Sequence, residues 1–565
     1  MAAENQSTVG TYLAARLEQV GVRHYFVVPG DYNLVLLDQL LKNRSLSMIG
    51  CCNELNAGYA ADGYARATGV PGVVVVTYSV GGLSAVNAVA GAYAEDLPLV
   101  IVSGGPNTNS EAEWELLHHT LGKVDYGYQR RIFENVTVAA SVIHHPLEAP
   151  YQIDHALENA LLARKPVYLE IACNIAAAST SAPTGRTFAD RPLGDQRALA
   201  DAVDHAAERL NKAVKPVLLG GARLRSFGGR EAFRAVADAG KYAVATMPDA
   251  KSFFPEQHPS YMGTYWGGVS SPGCAEIVES ADLYLAAGAK FTDYTTVGHT
   301  TLIDKAKLIN AEPGCVMVDG QCYNGVPLAD FLQLLAPKLK PNDASLAAFK
   351  RIDRQAPVFP SGSRDAAVTT RALRARVQNI LNADVAVLVE TGDSWFNGTA
   401  LSLPDGATFE SQMQYGSIGW SVGATLGYQV GCAPSRRVIA LIGDGSFQLT
   451  AQEISTMIRY GLKPIIVVIN NGGYTIEVEI HDGPYNQIKN WRYAQLVDVF
   501  NADEGNGWGC RVTTEGELDA AVQKATSHDG LSLIEVAVDR DDCSERLLEW
   551  GARVATNNSR PPRFV

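Results

Sequence analysis

The sequence predicts an α/β protein built of three doubly wound, parallel-sheet domains. Three observations point there. The chain has 565 residues, and about 150 residues per domain gives between three and four domains. Short β-branched runs alternate with longer helical stretches, the pattern of strand–helix–strand units on a parallel sheet. One such unit occurs in the first third of the chain and again in the last third.

The elements are these, in chain order. In the first domain, taken as 1–190, Val73–Thr77 is a buried strand after a Pro-Gly turn. Gly81-Gly82 opens a helix to Ala94, and Leu97–Ser103 is the next strand, ending on Gly104-Gly105. In the second, 191–350, a helix at Gln196–Ala213 precedes candidate strands Lys215–Gly220, Ala243–Thr246, Asp282–Gly288 and Lys307–Ala311. Pro341–Arg364, rich in Pro, Ser and Asp, is expected to be a linker. In the third, 351–565, a strand Val438–Gly443, a helix Thr450–Tyr460 and a strand Pro464–Asn470 copy the unit of the first domain. The copy is either an internal repeat or a coincidence of two similar strand–helix–strand units.

Composition narrows the function. Apolar residues are 47%, enough for several cores, and charged residues are 19%, below the usual ~25%, which argues against disorder. Lys plus Arg number 47 against 60 Asp plus Glu, a net charge of −13, so no basic stripe for nucleic acid is expected. The nine cysteines are scattered without a CxxC pair, which disfavours a disulfide framework or a thiolate zinc site. The start, Met-Ala-Ala-Glu-Asn-Gln-Ser-Thr, has no basic region before an apolar run, so no secretory signal is expected and a cytoplasmic location is. Val73–Ala94, the most apolar stretch, is broken by Thr77, Ser79, Gly81, Gly82, Ser84 and Asn87, too polar for a membrane span. The 52 glycines, about 9% of the chain against a usual ~7%, imply tight turns or close ligand approaches.

One constellation carries chemistry. Asp444 sits in Gly443-Asp444-Gly445-Ser446 directly after a strand, and Asn471 in Asn470-Asn471-Gly472-Gly473 after the next. A right-handed crossover places both strand ends on one sheet edge, where open α/β sheets bind ligands. A carboxylate, an amide oxygen and a backbone carbonyl form a hard oxygen set suited to Mg²⁺ or Ca²⁺. Gly445 and Ser446 can offer backbone N–H groups to a phosphate. Each tetrapeptide alone reads as a turn; together, 27 positions apart around one strand–helix–strand unit, they read as a metal–diphosphate site. No GxGxxG and no P-loop competes.

Gly-Asp-Gly, a 24-residue interval and Asn-Asn make the chain resemble the thiamin-diphosphate enzymes. Further stretches sharpen the resemblance to the pyruvate decarboxylase family: PGDYN from Pro29, CCNELNAGYAADGYARA from Cys51, LHHTLG from Leu117, ETGDSWFN from Glu390, QYGSIGWSVGATLGY from Gln414 and NNGGYTIEVEIHDGPYN from Asn470. The resemblance covers essentially the whole chain. It implies the thiamin-diphosphate-binding fold, with a pyrimidine-binding first domain, a central domain and a diphosphate-binding third domain. The implied activity is non-oxidative decarboxylation of pyruvate to acetaldehyde and CO₂.

The resemblance also implies roles residue by residue. Glu54 would hydrogen-bond the aminopyrimidine ring of the cofactor. Gly416 would accept from its amino group through a carbonyl, Ile418 would hold it bent, and Thr391, Tyr474 and Ile476 would touch it. Asp444, Asn471 and the Gly473 carbonyl would hold Mg²⁺. Asp31, His118, His119 and Glu477 would form the acid–base set, because decarboxylation and product release each move a proton. Glu477, after apolar Tyr474-Thr475-Ile476, is expected to be desolvated. Ile476, Ile480, Trp395 and Tyr294 would bound a pocket narrow enough to favour pyruvate. Family members share sites between subunits, so a homodimer at least, and commonly a tetramer, is implied.

Departures are few. Gly220-Gly221-Ala222-Arg223-Leu224 lacks the cysteine tied to substrate activation in the yeast form, and Gly298-His299 and Tyr415 differ from some members. A decarboxylase of phenylpyruvate or indolepyruvate, or a carboligase, is the alternative within the class. A non-catalytic metabolite-binding assembly protein is the alternative outside it, and the retained Glu54 and Glu477 argue against that.

Overall fold

The computed structural model describes residues 6–185, 187–189, 191–353 and 362–562. The first sheet has six strands in the order Ser47–Gly50, His24–Val27, Gly72–Val76, Leu99–Gly105, Val167–Ala172, Ala140–Ile143, every pair parallel. The third runs Thr408–Ser411, Val385–Val389, Arg437–Gly443, Ile465–Asn470, Ser532–Ala537, Trp508–Val512, again all parallel. Ranked along the chain, both sheets read 2-1-3-4-6-5. The unit repeated in the sequence is thus part of one shared topology.

The central sheet carries Tyr261–Thr264, Ala243–Thr246, Pro216–Gly220, Leu283–Ala287 and Leu308–Glu312 in parallel. Two antiparallel strands, Gly314–Val318 and Gln321–Val326, extend its edge. The turn between them is Asp319-Gly320 with φ of 49° and 80°, the left-handed pair that suits a two-residue hairpin. That dipeptide between two short runs is a readable hairpin signal. A short antiparallel pair, Gln6–Thr8 with Ser179–Ser181, lies outside the three sheets.

The expected strands lie within two residues of those observed. Gly72–Val76 and Ile465–Asn470 among them are fully buried, β-branched runs, as parallel strands covered by helices on both faces must be. One expectation fails. The stretch expected as a linker contains a helix, Ala344–Arg351, because Leu346 and Phe349 sit one turn apart and join the apolar cluster on one face of the central sheet; residues 354–361 of that stretch lie outside the described residues. The helix expected at Thr450–Tyr460 is observed as Glu453–Arg459, and a separate helix, Asp444–Thr450, precedes it. Tertiary bonds set the break: Thr450 Oγ1 donates to the Gly419 carbonyl at 2.7 Å, and the Glu453 carboxylate accepts from the Cys52 N–H at 2.7 Å.

The first and third sheets meet through helices Glu54–Thr68 and Trp420–Cys432. Asn53 caps the first through the Asn56 N–H at 2.9 Å, and Gly69 ends it in the left-handed conformation. The two helices cross at backbone distance. A Cβ on Gly427 would fall 1.7 Å from the Ala60 carbonyl oxygen, and one on Gly63 would fall 2.2 Å from that of Ala424. Both helices are buried on every side through their middle turns. Arg66 therefore needs buried partners, and it has Asp62 at 2.7 Å, Glu95 at 3.7 Å and Glu410 at 3.3 Å. Burial works against its charge, but these carboxylates outweigh it and hold the guanidinium above its ordinary range. Arg225, beyond the first strand of the central sheet, pairs with the same Glu410. A second buried cluster joins the first and central sheets: Asp96 meets Lys165 and Lys290 at 2.6 Å each and Arg223 at 3.1 Å. Burial would raise the Asp96 pKa, yet the three cations hold it below the usual carboxylate value.

The glycine crossing predicts a measurable cost. Gly427→Ala must push the helices apart and should destabilise the chain by about 1–3 kcal/mol or more, as overpacking does. Gly185→Ala, whose Cβ would meet nothing within 4 Å among the described residues, should be near neutral. Thermal unfolding of both variants beside the parent checks this.

Candidate active site

Strands Val385–Val389, Arg437–Gly443 and Ile465–Asn470 are adjacent and parallel, so their carboxyl ends share one edge. The segments leaving those ends enclose a cavity of about 290 Å³. Thr391, Ile418, Asp444, Gly445, Ser446, Asn471, Gly473, Tyr474, Ile476 and Glu477 all line it. Ten of the sequence-predicted residues are thereby brought to one place.

Asp444 is fully buried. One carboxylate oxygen accepts from the Gly445 N–H and the other from the Gly472 N–H, both at 2.7 Å, which ties the two strand ends together. Burial pushes its pKa up to about 6 against the pull of these N–H groups. No Lys or Arg pairs with it among the described residues. The Asn471 amide donates to Thr475 Oγ1, which fixes the side chain and leaves its oxygen as a ligand atom. Asn470 is committed elsewhere, to Glu535 and Asn490 at 2.8 and 2.9 Å, so only the second asparagine serves the cavity. At Gly473 a Cβ would lie 2.4 Å from the Asn486 carbonyl oxygen, so only glycine brings this backbone in. A buried carboxylate without a cation, an amide oxygen and a backbone carbonyl fit a hard divalent ion, which would supply the missing countercharge.

Beneath the cavity lie residues not singled out in the sequence. Glu390 is buried and accepts from the N–H groups of Thr391, Gly419 and Ser421 at 2.9, 3.2 and 3.1 Å, and from the Ser421 hydroxyl at 2.7 Å. It fixes both the Thr391 turn and the segment that comes after Ile418. Asp393 lines the cavity and accepts from the Ser544 N–H at 3.2 Å and from its hydroxyl. Burial raises its pKa, opposed by those bonds. Both carboxylates fall in the ETGDSWFN stretch, directly after the strand Val385–Val389, a position like that of Asp444 after its own strand.

The residues expected to bound a substrate pocket stand differently. Tyr294, Trp395, Ile476 and Ile480 share one apolar cluster. Only Ile476 faces the cavity. Trp395 is fully buried, edge-on to Tyr294 with ring centroids 5.8 Å apart, so it backs the wall rather than forming its surface. Tyr294 stands 3.6 Å from where a Gly416 Cβ would be, and its hydroxyl pKa is raised by burial and by Glu477 and Asp293. Gly416 needs its freedom, with φ of 65°. Glu477 is exposed at the cavity rim of the single chain. Of its three apolar-flank neighbours only Ile476 is buried, so they do not cover Glu477 in the single chain.

The remaining acid–base residues form a second centre on the first sheet. His118 Nε2 lies 2.7 Å from Asp31 Oδ2 and His119 Nε2 3.9 Å from Asp31 Oδ1. The imidazoles meet edge to face at 4.6 Å, and Tyr32 stacks on His118 at 4.9 Å. His119 holds a positive φ of 64°, a strained setting for a side chain. Glu54 opens its helix over Gly81, where a Cβ would come within 3.0 Å of its carboxylate, and burial raises its pKa. None of these four residues lines the cavity around Asp444, whose wall comes from residues 391–477 alone.

The sequence matches the family models described as thiamine pyrophosphate enzyme, N-terminal TPP binding domain, over residues 7–127; central domain, over 203–321; and C-terminal TPP binding domain, over 392–536. The chain belongs to the thiamine pyrophosphate enzymes. Thiamin diphosphate is thus its cofactor, with Mg²⁺ the partner metal of the family. This thiamine pyrophosphate enzyme is 50% identical to pyruvate decarboxylase 1 of Zea mays over 98% of this chain and 92% of that protein. It is 50% identical to pyruvate decarboxylase 3 of Arabidopsis thaliana, over 98% and 95%. A probable pyruvate decarboxylase of Schizosaccharomyces pombe is 48% identical over 99% and 98%.

The buried Asp444 gives a pH signature. A metal requires the ionised carboxylate. With a pKa of about 6 in the metal-free chain, Mg²⁺ affinity should be level above pH 6 and fall by about tenfold per unit below it. Without metal the sign reverses for stability. The native state holds this proton more tightly than the unfolded chain, so its stabilising effect is present below about pH 4 and lost as pH rises through 6. Calorimetric Mg²⁺ titration from about pH 5 to 8 checks the first, and metal-free unfolding from about pH 3 to 7 checks the second. Asp444→Asn should remove both dependences.

Proposed function

We infer that this chain catalyses the non-oxidative decarboxylation of pyruvate to acetaldehyde and CO₂. The observation that carries the reading is identity near one half with pyruvate decarboxylases over almost the full chain. When bound, thiamin diphosphate supplies the electron sink for carbon–carbon cleavage. The chain's residues do the rest. Asp444, Asn471 and the Gly473 carbonyl would hold the metal, and Gly445 and Ser446 the diphosphate end. Glu54, whose raised pKa lets it share a proton, would hold the aminopyrimidine. Thr391, Gly416, Ile418, Tyr474 and Ile476 would position the ring system. Asp31, His118, His119 and Glu477 would hold and move protons at the substrate carbons.

The three sheets support domains at 1–190, 191–350 and 351–565. The site, though, would not be complete in one chain. Metal ligands line one cavity while Glu54 and the Asp31–His118–His119 cluster sit outside it. This supports a homodimer at least, each site joining the first sheet of one copy to the third sheet of another, with a tetramer as the larger assembly. A cytoplasmic location fits nine free cysteines. No described helix is long and apolar enough to cross a membrane.

Stripping the protein of thiamin diphosphate and Mg²⁺ should abolish pyruvate loss and acetaldehyde formation, and restoring both should recover them; cofactor-independent turnover would end the reading. In the same assay pyruvate should be preferred over phenylpyruvate and indolepyruvate. Ile476→Ala should shift the ratio of kcat/KM toward the larger acids; an unchanged ratio would remove Ile476 from the pocket.

Site sharing has its own test. Glu54→Gln and Asp444→Asn chains should each be nearly inactive alone. Co-folded, they should regain about half the parental activity per mixed dimer, because one of its two sites is then free of both changes. No recovery would place each site within one chain.

A further inference from the structure

The hairpin at the edge of the central sheet gathers sulfur. Of nine cysteines and seven methionines in 565 residues, three stand within eight positions here: Cys315, Met317 and Cys322. Strands Gly314–Val318 and Gln321–Val326 pair antiparallel, with Cys315 opposite Asn324 and Met317 opposite Cys322. Side chains alternate between the two faces of a strand. Val316, Val318 and Tyr323 turn into the core, and Cys315, Met317, Cys322 and Asn324 form the corners of one outer patch. Met317 is 43% exposed and Cys322 is exposed, although both residue types are normally buried.

The patch is ordered from within. The Cys322 thiol donates to Asn324 Oδ1 at 3.3 Å, so it leans along its own strand toward the position opposite Cys315. The two thiols meet there: burial, the hydrogen bond with Cys322 and the charge of Glu312 push the Cys315 thiol up to about 11. Strand geometry decides against a disulfide. Diagonal positions on an antiparallel ribbon lie about 7–8 Å apart, whereas a disulfide needs a Cα separation of about 4.4–6.8 Å. One metal ion reaches further, because two metal–sulfur bonds of roughly 2.3 Å span up to about 4.6 Å between sulfurs. The donor set selects the ion. Thiolates with a thioether are soft ligands suited to Cu(I), while a structural zinc takes four Cys or His ligands. No His, Asp or Glu completes a ligand group with these two cysteines among the described residues.

We propose that this patch is a Cu(I) site, with the Cys315 and Cys322 sulfurs as thiolate ligands and the Met317 thioether as the third. Binding breaks two S–H bonds, releases both protons to solvent and forms two copper–thiolate bonds. Copper stays Cu(I) throughout, so no oxidant or reductant is consumed. The site stands on the central domain and shares no residue with the cavity around Asp444.

The test uses holoenzyme saturated with thiamin diphosphate and Mg²⁺, titrated without oxygen against Cu(I) held by the chromophoric chelator bicinchoninate. The parent should withdraw one Cu(I) per chain. Cys322→Ser should weaken that site by at least about tenfold, since even groups behind a metal ligand are worth that much. Met317→Leu, which keeps the volume and removes the sulfur, should weaken it by a smaller factor. Cys52→Ser, at the other exposed cysteine, should leave it unchanged. The substitutions are at exposed positions, and thermal unfolding confirms that each variant is folded. Equal copper uptake by parent and Cys322→Ser, indifference to Met317→Leu, loss in Cys52→Ser, displacement of Cu(I) by equimolar Zn²⁺, or ready closure of a Cys315–Cys322 disulfide by oxidised glutathione would each overturn the proposal.

Discussion

The crossing of Glu54–Thr68 with Trp420–Cys432 is the contact on which the rest depends. Glycines at 63, 423 and 427 let two helices meet at backbone distance, and each helix carries a functional segment at its N-terminal end. Glu54 begins one; Gly416 and Ile418 lead into the other. The lead-in is anchored to its neighbours: Ser417 bonds Tyr59 and accepts from the Asn87 amide, and Trp420 donates to Asp62. A side chain at the crossing would displace the helices and, with them, the groups they present.

Charge is distributed to match. The chain is acidic, with a net charge of −13, yet it must bind a diphosphate, and no Lys or Arg lines the cavity proposed to hold it. A metal on Asp444 and Asn471 with backbone N–H groups would reverse the local sign. The buried cations work elsewhere: Arg66, Arg225, Lys165, Lys290 and Arg223 clamp the three sheets to one another through Asp62, Glu95, Asp96 and Glu410. Such pairs are weak arguments for stability but strong ones for relative placement, since separating one partner strands a buried charge.

What could be read in the sequence was local. Strands showed as valine-rich runs, and Asp444 and Asn471 showed because each comes directly after its strand. The Asp319-Gly320 hairpin signal is equally local. Long-range features were not legible from spacing: Asp31 and His118 are 87 residues apart, and only likeness to a family joined them. Likeness to a family likewise places Trp395 at the pocket, and a motif does not distinguish a wall from the layer behind it. Nor was it legible that the Glu453 carboxylate, at the start of its helix, accepts from the backbone N–H of Cys52, some 400 positions earlier.

Asp393 faces two ways. It lines the cofactor cavity, and its carboxylate holds Ser544, whose hydroxyl caps helix Glu545–Asn558 through the Leu547 N–H. That helix returns to the cavity from behind. Trp550 donates to the Tyr294 carbonyl at 3.3 Å, and Gly551 lies so close to Glu479 that a Cβ would fall 2.8 Å from its side chain. One carboxylate thus serves both the cavity wall and the cap of this helix, so any coupling between helix order and cavity occupancy would have to act equally in both directions.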